Sequence, residues 1–279
     1  MNVKLKLFVF LSFFCSHLLL NAQKFGSKKL MFYSNNAMFP DGIKPSNDNR
    51  YNDNSTIILI PKSFKKNQAF QLFFWFHGWG NNINQTLESF KLEEELIASG
   101  INAILVLPEA AKNANDSYAG KWEKANFFNT YLNELKDFLN NKSLIEVEQP
   151  HSLIFAGHSG AANVLTRLMQ YNTHHVKTVL LFDAINYEVD KIANFLQQST
   201  TTKFITLFSP KSSFATNSLK LAQVLEKRKI GYLQKQDTQF LASDLQQSRI
   251  ILLPSQLHHN DVATTNHYIS KFLKAADTN

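Results

Sequence analysis

Gly157-His158-Ser159-Gly160-Ala161 is the stretch of this chain that decides the fold. The apolar residues 153–156 before it predict a short buried strand, and residues 163–170 after it have the apolar spacing of a helix. A serine at such a strand-to-helix turn adopts strained backbone angles that expose its hydroxyl, as in a nucleophile elbow. Strand and helix crowd together there, so the residues two before and two after the serine must be small. Ala161 stands where the usual pattern has a second glycine, which is a mild departure.

Further apolar runs repeat the pattern of the elbow strand along the chain. Additional strands are predicted at 30–33, 55–61, 69–76, 103–107, 176–182, 203–208 and 249–253, and further helices at 86–98, 126–139, 187–196, 219–226 and 262–273. Continuous apolar strands of this kind belong in a parallel sheet that is covered on both faces. The alternation of strands and helices therefore predicts an α/β fold with a doubly wound sheet.

The first 22 residues predict a secretory signal peptide. Lys4 and Lys6 precede a mostly apolar stretch at 7–20, and the small residue Ala22 marks the predicted cleavage site. The apolar stretch is shorter than the roughly 20 residues that a membrane-spanning helix needs. We therefore expect a secreted or periplasmic protein that keeps no stable membrane span after cleavage. Cys15 is the single cysteine of the chain, so the mature protein is expected to have no disulfide.

The mature chain, residues 23–279, has the length of a single α/β domain. Removal of the two signal lysines lowers the formal net charge from +7 to +5. The short basic clusters at 62–66 and 227–229 are interpreted as solvated faces of the protein rather than as a site for polyanions. Nucleic acid is therefore not expected as a partner.

The elbow serine requires a base, and the base requires an orienting acid, because a serine hydroxyl is a weak nucleophile at neutral pH. In a chain wound this way the expected order is serine, acid, histidine, with the histidine in the loop after the last strand. That loop contains His258 and His259. We favour His259 because Asn260 and Asp261 directly after it resemble the cap of the final helix. His258 remains the alternative.

The orienting acid is expected at the carboxyl end of a strand, where ligand chemistry is found in open α/β sheets. Asp183 directly follows the predicted strand after the elbow strand. The more usual place is one strand later, after Phe208, but residues 209–213 contain no carboxylate. The sequence thus favours Asp183 as the acid, with Asp190 and Asp261 as weaker alternatives. Asp183 could instead cap the helix that follows it.

The oxyanion of an acyl-transfer reaction needs hydrogen-bond donors, which backbone N–H groups can supply. The residue after the nucleophile, Gly160, is expected to give the first donor. The second is expected from the turn His77-Gly78-Trp79-Gly80, which follows an early strand. Glycine at this turn lets the backbone approach a substrate. We assign the second donor to Trp79, with Gly78 or Gly80 as alternatives, and interpret His77 as structural.

These features together resemble the α/β-hydrolase superfamily over residues 55–275. The resemblance implies an α/β-hydrolase fold with a mostly parallel eight-stranded sheet and helices on both faces. It also implies a Ser-His-Asp triad that works without a metal or another cofactor. The chain departs from the family pattern at Ala161 and in its acid, which comes one strand early, as in some members. Esterases, lipases, peptidases and non-catalytic proteins share this superfamily, so the fold alone does not select a substrate.

The sequence therefore predicts a secreted serine hydrolase that forms an acyl-enzyme, and a carboxylesterase for small or carbohydrate-linked esters is the preferred interpretation. Tyr118 and Trp122, together with Trp79, are predicted to line a cleft for a sugar or an aromatic acyl group, although ordinary packing would also explain them. A large lid of apolar helices, typical of long-chain lipases, is not predicted. The alternatives are a non-catalytic binding protein of the same fold at the cell surface and a peptidase or amide hydrolase.

Overall fold

The computed structural model describes residues 26–35, 49–116, 118–145 and 152–278. The predicted signal peptide, residues 1–22, lies outside the described residues. The strands are β1 (Lys28–Tyr33), β2 (Ser55–Ile60), β3 (Gln71–Phe76), β4 (Ala103–Pro108), β5 (Ser152–His158), β6 (Val176–Phe182), β7 (Lys203–Phe208), β8 (Leu233–Gln234) and β9 (Ile250–Pro254). They form one sheet in the order β1-β2-β4-β3-β5-β6-β7-β9-β8. Only the pairings of β2 with β1 and with β4 are antiparallel, so the sheet is mostly parallel, as predicted.

Helices cover both faces of this sheet. They are α1 (Asn49–Asn52), α2 (Ile83–Ser89), α3 (Leu92–Ser99), α4 (Phe127–Asn141), α5 (Ala162–Tyr171), α6 (Val189–Gln198), α7 (Ala215–Lys227), α8 (Asp244–Gln247) and α9 (Tyr268–Asp277). Apolar side chains of α4, α5, α6 and α7 belong to the core on one face, and those of α2, α3 and α9 to the core on the other. The strands between them are almost entirely buried, which explains their continuous apolar sequences.

The predicted fold class is confirmed, with one strand more than expected. The eight predicted strands all lie in the sheet, and the additional strand is β8, which pairs with β9 at the sheet edge. It contains only Leu233 and Gln234, both at least partly exposed, so it has no apolar run that a sequence pattern would detect.

Two predicted helices differ from the structure. The helix predicted at 86–98 is broken into α2 and α3, because Phe90 turns inward onto Trp75 and Lys91 adopts a left-handed φ of 48°. The helix predicted at 262–273 begins only at Tyr268, after a series of turns. Thr264, Thr265 and Asn266 occupy those turns and have low helix propensity. Asn260 and Asp261 therefore do not cap the final helix.

Candidate active site

The turn after β5 has the strained geometry that its sequence predicts. Ser159 adopts a φ of 57°, in the left-handed region, and a short 3₁₀ turn leads from it into α5. A Cβ atom on Gly157 would lie 2.7 Å from the carbonyl oxygen of Phe76 and 2.7 Å from Cβ of Ala161. The methyl of Ala161 thus fits because Gly157 has no side chain. This contact explains why alanine is tolerated at the position where the usual motif has glycine.

Three of the predicted site residues are joined by hydrogen bonds at the carboxyl edge of the sheet. The Ser159 Oγ lies 2.9 Å from Nε2 of His259, and the Nδ1 of His259 lies 2.9 Å from Oδ2 of Asp183. In the tautomer that suits a base, Nδ1–H donates to the carboxylate and the serine hydroxyl donates to Nε2. The alternative base, His258, is exposed and lies outside this chain of contacts.

The Asp183 carboxylate is completely buried, and its second oxygen has its own donors. Asp183 follows β6 with a φ of 49°, and its Oδ1 accepts from the backbone N–H of Ser209 at 3.1 Å and from the hydroxyl of Ser212 at 2.8 Å. Hydrogen bonds of this kind are needed to hold a buried charge. Both donors come from the segment after β7, which is the more usual place for the acid itself. Residues 209–213 contain no carboxylate, and their role as donors to Asp183 was not predicted from the sequence.

The His259 ring lies between two other rings. The ring of Phe214 stacks on it at a centroid distance of 5.5 Å and an angle of 6°, and the ring of His158 approaches at 4.5 Å and 35°. His158 also donates a hydrogen bond from Nε2 to the backbone carbonyl of His259, at 2.8 Å. Burial lowers the pKa of His158 to about 4, so this side chain is neutral at physiological pH. No role of their own was predicted from the sequence for Phe214 or His158.

The two predicted oxyanion donors lie on backbones that touch each other. A Cβ atom on Gly160 would lie 3.1 Å from the backbone nitrogen of Trp79 and would overlap the indole ring of Trp79. A Cβ atom on Gly78 would lie 3.2 Å from the backbone nitrogen of Gly160 and 3.1 Å from Cβ of Ser159. The turn after β3 therefore packs directly against the elbow, and a Cβ atom at either glycine would force a neighbouring group to shift.

The turn after β3 is supported by a buried pair, His77 and Glu109, which was not predicted from the sequence. Nε2 of His77 lies 2.6 Å from Oε1 of Glu109, and Nδ1 of His77 donates to the carbonyl of Gly78 at 2.8 Å. The other carboxylate oxygen of Glu109 accepts from the backbone N–H of Ile83 at 3.3 Å, at the start of α2. Because β3 and β4 are parallel neighbours, their carboxyl ends lie at the same edge of the sheet. His77 and Glu109 directly follow these two ends, and the pair could have been predicted from that placement.

An open cleft of about 250 Å³ gives access to the elbow serine. Its lining combines aromatic, polar and site residues, namely Gly78, Trp79, Asn81, Ser89, Phe90, His158, Ser159, His259, Asn260 and Thr264. Trp79 is 58% exposed. Gly78 and Gly160 also line a narrow crevice of about 10 Å³, where Tyr118 forms part of the wall.

Trp122 does not line this cleft, which corrects the prediction that grouped it with Tyr118. Its side chain is 2% exposed and packs edge-on against Phe76 and Phe127 at centroid distances of 5.1 and 4.9 Å. An indole is large and apolar, so its burial stabilises the core more than an exposed position would. Trp122 is therefore a core residue.

The described residues also form a cleft away from the elbow serine. A larger cleft of about 640 Å³ is lined by residues such as Arg50, Asp53 and Lys112, but it does not include the elbow serine. Within the described ranges, no group of three or more His, Cys, Asp or Glu side chains is arranged to hold a metal ion. No helix in the same ranges is long and apolar enough to cross a membrane.

Comparisons with known proteins identify the fold. No protein-family model matches the chain, and a search of curated protein sequences found no match either. Among solved structures, a serine-to-alanine mutant of the feruloyl esterase module from Clostridium thermocellum, complexed with sinapinate, aligns with a TM-score of 0.60 and 14% identity. This alignment covers 89% of this chain and 87% of that one.

Two structures from Staphylococcus aureus are also similar. An S-formylglutathione hydrolase aligns with a TM-score of 0.55 and 10% identity over 90% of this chain and 96% of that one. The fluorophosphonate-binding serine hydrolase F aligns with a TM-score of 0.54 and 11% identity over 90% of this chain and 98% of that one. At these identities the likeness establishes the fold, and this chain has the fold of the α/β-hydrolase superfamily.

Proposed function

We propose that this α/β-hydrolase-fold chain is a secreted serine hydrolase, and specifically a carboxylesterase for small or carbohydrate-linked esters. The observation that carries the proposal is the unbroken line of hydrogen bonds from Ser159 through His259 to the buried Asp183, at the wall of an open cleft. Nucleophile, base and orienting acid within hydrogen-bond reach are the arrangement that activates a serine hydroxyl. The feruloyl esterase and S-formylglutathione hydrolase among the similar structures support an ester substrate.

In the proposed mechanism, His259 removes the proton of Ser159 as the serine oxygen attacks the ester carbonyl. The backbone N–H groups of Gly160 and Trp79 stabilise the negative charge that develops on the carbonyl oxygen. His259 then gives its proton to the leaving alcohol, and an acyl-enzyme remains on Ser159. Water, activated by the same histidine, repeats these steps and releases the acid. Asp183 keeps the proton of the imidazole on Nδ1 throughout.

The shape of the site favours a polar alcohol and a short acyl group. Asn81, Ser89, Asn260 and Thr264 line the same cleft as His259, which gives the leaving alcohol its proton, and their side chains can bind hydroxyl groups. The exposed indole of Trp79 offers an apolar surface beside them, as an amphipathic substrate requires. The crevice on the Gly160 side has room for little more than a few atoms. Tyr118 remains a proposed substrate contact there.

A fluorophosphonate probe tests this function directly. We expect the probe to label the wild-type protein and to leave Ser159→Ala unlabelled. We also expect ester turnover in this variant to fall by at least about 10⁴-fold with an unchanged melting temperature. His258→Ala is the matched control, because this neighbouring histidine is exposed, and it should label and turn over at the wild-type rate. Labelling of Ser159→Ala, or loss of activity in His258→Ala, would contradict the assignment of the nucleophile or of the base.

A substrate panel separates the proposed esterase from its alternatives. We expect acetyl esters of p-nitrophenol and of simple sugars to react faster than butyryl or octanoyl esters, because the crevice beside Gly160 is narrow. Faster cleavage of a peptide panel would indicate an amide hydrolase instead. A wild-type protein that neither labels nor turns over any member of the panel would indicate a non-catalytic binding protein. Intact protein that retains residues 1–22 in the cytosol would contradict secretion.

A further inference from the structure

His158 is a buried histidine directly before the elbow serine, and its ring is packed on two sides. The ring of His259 lies at a centroid distance of 4.5 Å and that of Phe90 at 5.3 Å. Its Nε2 lies 2.8 Å from the backbone carbonyl oxygen of His259, which is 101 residues away in the sequence. A carbonyl oxygen only accepts, so Nε2 of His158 must carry a proton in this contact.

The loop that carries His259 has no regular secondary structure to position it. Turns run from the end of β9 to the start of α9, and the side chain of His259 is 32% exposed. The Asp183 carboxylate fixes the ring at Nδ1, but a ring bonded at one atom can still pivot about that bond. The hydrogen bond from His158 fixes the same residue at its backbone. These two bonds, together with the stacked ring of Phe214, fix the place of Nε2 opposite Ser159.

We propose that His158 is a positioning residue that holds the catalytic base in register with the nucleophile through its Nε2–H donor to the His259 backbone. This inference rests on the function proposed above. Because His158 directly precedes Ser159 in the same turn, the nucleophile and the residue that positions its base move together. A displacement of about 1 Å in a catalytic group lowers the rate by up to roughly 100-fold, so such an anchor affects turnover.

The neutral state of His158 is part of this role. Burial is the main cause that lowers the pKa of His158 to about 4, and the nearby positive form of His259 lowers it further. The hydrogen bond to the backbone and the charge of Asp183 act in the opposite direction but are weaker than burial. A neutral ring can donate from Nε2 without repelling the imidazolium that forms on His259 during the reaction.

Nitrogen NMR of histidine-labelled wild-type protein tests the assignment without a mutation. We expect the His158 ring to be in the Nε2–H tautomer and to remain uncharged from about pH 8 down to about pH 5. The resonance is assigned by its loss in His158→Gln. The opposite tautomer, with the proton on Nδ1, or protonation of the ring above about pH 6, would overturn the proposal.

A pair of substitutions tests the effect on turnover. His158→Phe keeps a planar ring for stacking but has no donor, whereas the side-chain amide of His158→Gln can donate to the same carbonyl. We expect kcat per titrated active site to fall about 10- to 100-fold in His158→Phe with KM within about twofold. In His158→Gln, kcat should stay within about threefold of the wild type. The pH dependence of kcat/KM should keep its midpoint in both variants, because each replaces a neutral side chain with another.

Each outcome of the kinetic test decides the proposal. A kcat near the wild-type value in His158→Phe, or an equal loss in both variants, would overturn it. If His158→Phe does not fold, the kcat of His158→Gln and the NMR measurement still decide the question. His258→Gln is the matched control and should be unaffected. Failure of the proposed function is recognised separately, because wild-type protein would then not react with fluorophosphonate, whereas the tautomer of His158 would remain measurable.

Discussion

Two imidazole–carboxylate pairs lie on the same edge of the sheet, and they differ in what else touches the imidazole. In one pair, His259 faces Asp183 at 2.9 Å, and in the other, His77 faces Glu109 at 2.6 Å. Both carboxylates are completely buried. The side chain of His259, however, is 32% exposed to the cleft, whereas that of His77 is 2% exposed.

The second nitrogen of each imidazole accounts for the difference in role. Nε2 of His259 meets the hydroxyl of Ser159, which can give up its proton. Nδ1 of His77 instead donates to the carbonyl of Gly78, which has no proton to exchange. In the proposed mechanism the same two chemical groups thus serve as base and orienting acid in one place, and they form a structural brace in the other. The role of each pair therefore depends less on the imidazole–carboxylate contact than on two other features. These are the exposure of the imidazole to the cleft and the group that contacts its second nitrogen.

Asp183→Asn is expected to have the largest effect of the substitutions that probe this comparison. The Ser209 N–H donates to Oδ1 from the backbone and cannot reverse, so the amide oxygen will remain at that position. The amide N–H₂ then faces Nδ1 of His259 and shifts the imidazole proton to Nε2, where it blocks the base. We expect kcat/KM to fall about 10³- to 10⁴-fold, with a free energy of unfolding that changes little.

Asp190→Asn is the matched control for this prediction, because Asp190 is an exposed aspartate paired with Arg228. It should keep its full activity in the same ester assay. Activity in Asp183→Asn within about tenfold of the wild type would mean that the acid has another source. Asp261, which the sequence left as an alternative, would then be the next residue to replace.

Glu109→Gln and Glu109→Met test the second pair. In Glu109→Gln the amide oxygen can still accept from the Ile83 N–H, and the amide N–H₂ can donate to Nε2 of His77 when the imidazole proton is on Nδ1, so activity should stay within about fivefold of the wild type. Methionine has a similar volume but removes the carboxylate, which leaves Nε2 of His77 with only the long 3.4 Å contact from the Ala110 N–H and leaves the Ile83 N–H without its acceptor. We expect Glu109→Met to lower the free energy of unfolding by about 3 kcal/mol, measured by urea denaturation.

The contrast between the two amide substitutions is the sharpest test of the comparison. If Glu109→Gln reduces kcat as strongly as Asp183→Asn, the His77–Glu109 pair takes part in the chemistry. If Glu109→Met folds as stably as the wild type, the pair is not the brace of the turn after β3. In either case, the distinction between a catalytic and a structural pair would fail.

Most of the fold could be predicted from the sequence, because buried parallel strands are continuous apolar runs. The strands at 176–182 and 203–208 were predicted with the observed bounds. The helix ends were less predictable, since the break at Lys91 depends on how Phe90 packs against Trp75, which is distant in sequence. The two-residue β8 is fixed by its pairing with β9 alone, and no local pattern reports such a pairing.

The candidate site could be predicted where a residue takes its role from its position directly after a strand. Ser159 and Asp183 each follow a strand directly, and the structure brings both to His259. The reason given for choosing His259, a cap of the final helix, was wrong, because that helix begins at Tyr268. Trp122 could not be assigned from its position in a polar stretch, because its burial depends on aromatic residues from other elements.

Ser212→Ala is expected to have a much smaller effect than Asp183→Asn and tests how the acid of the first pair is held. Its hydroxyl is one of two donors to Oδ1 of Asp183, and the Ser209 N–H remains when it is removed. A hydrogen bond to a charged group contributes about 1.5 kcal/mol, so kcat/KM should fall roughly tenfold. Ser213→Ala is the matched control, because Ser213 is exposed, and it should have no effect.

A double-mutant cycle shows whether Ser212 acts through the charge of Asp183. In the Asp183→Asn background the hydroxyl donates to a neutral oxygen, so the added effect of Ser212→Ala should shrink to about twofold. An undiminished tenfold loss in that background would mean that Ser212 acts elsewhere, for example through the backbone N–H of Phe214, which donates to the same hydroxyl oxygen at 3.2 Å. The stacking of Phe214 on His259, rather than the carboxylate, would then be the link between this segment and the base.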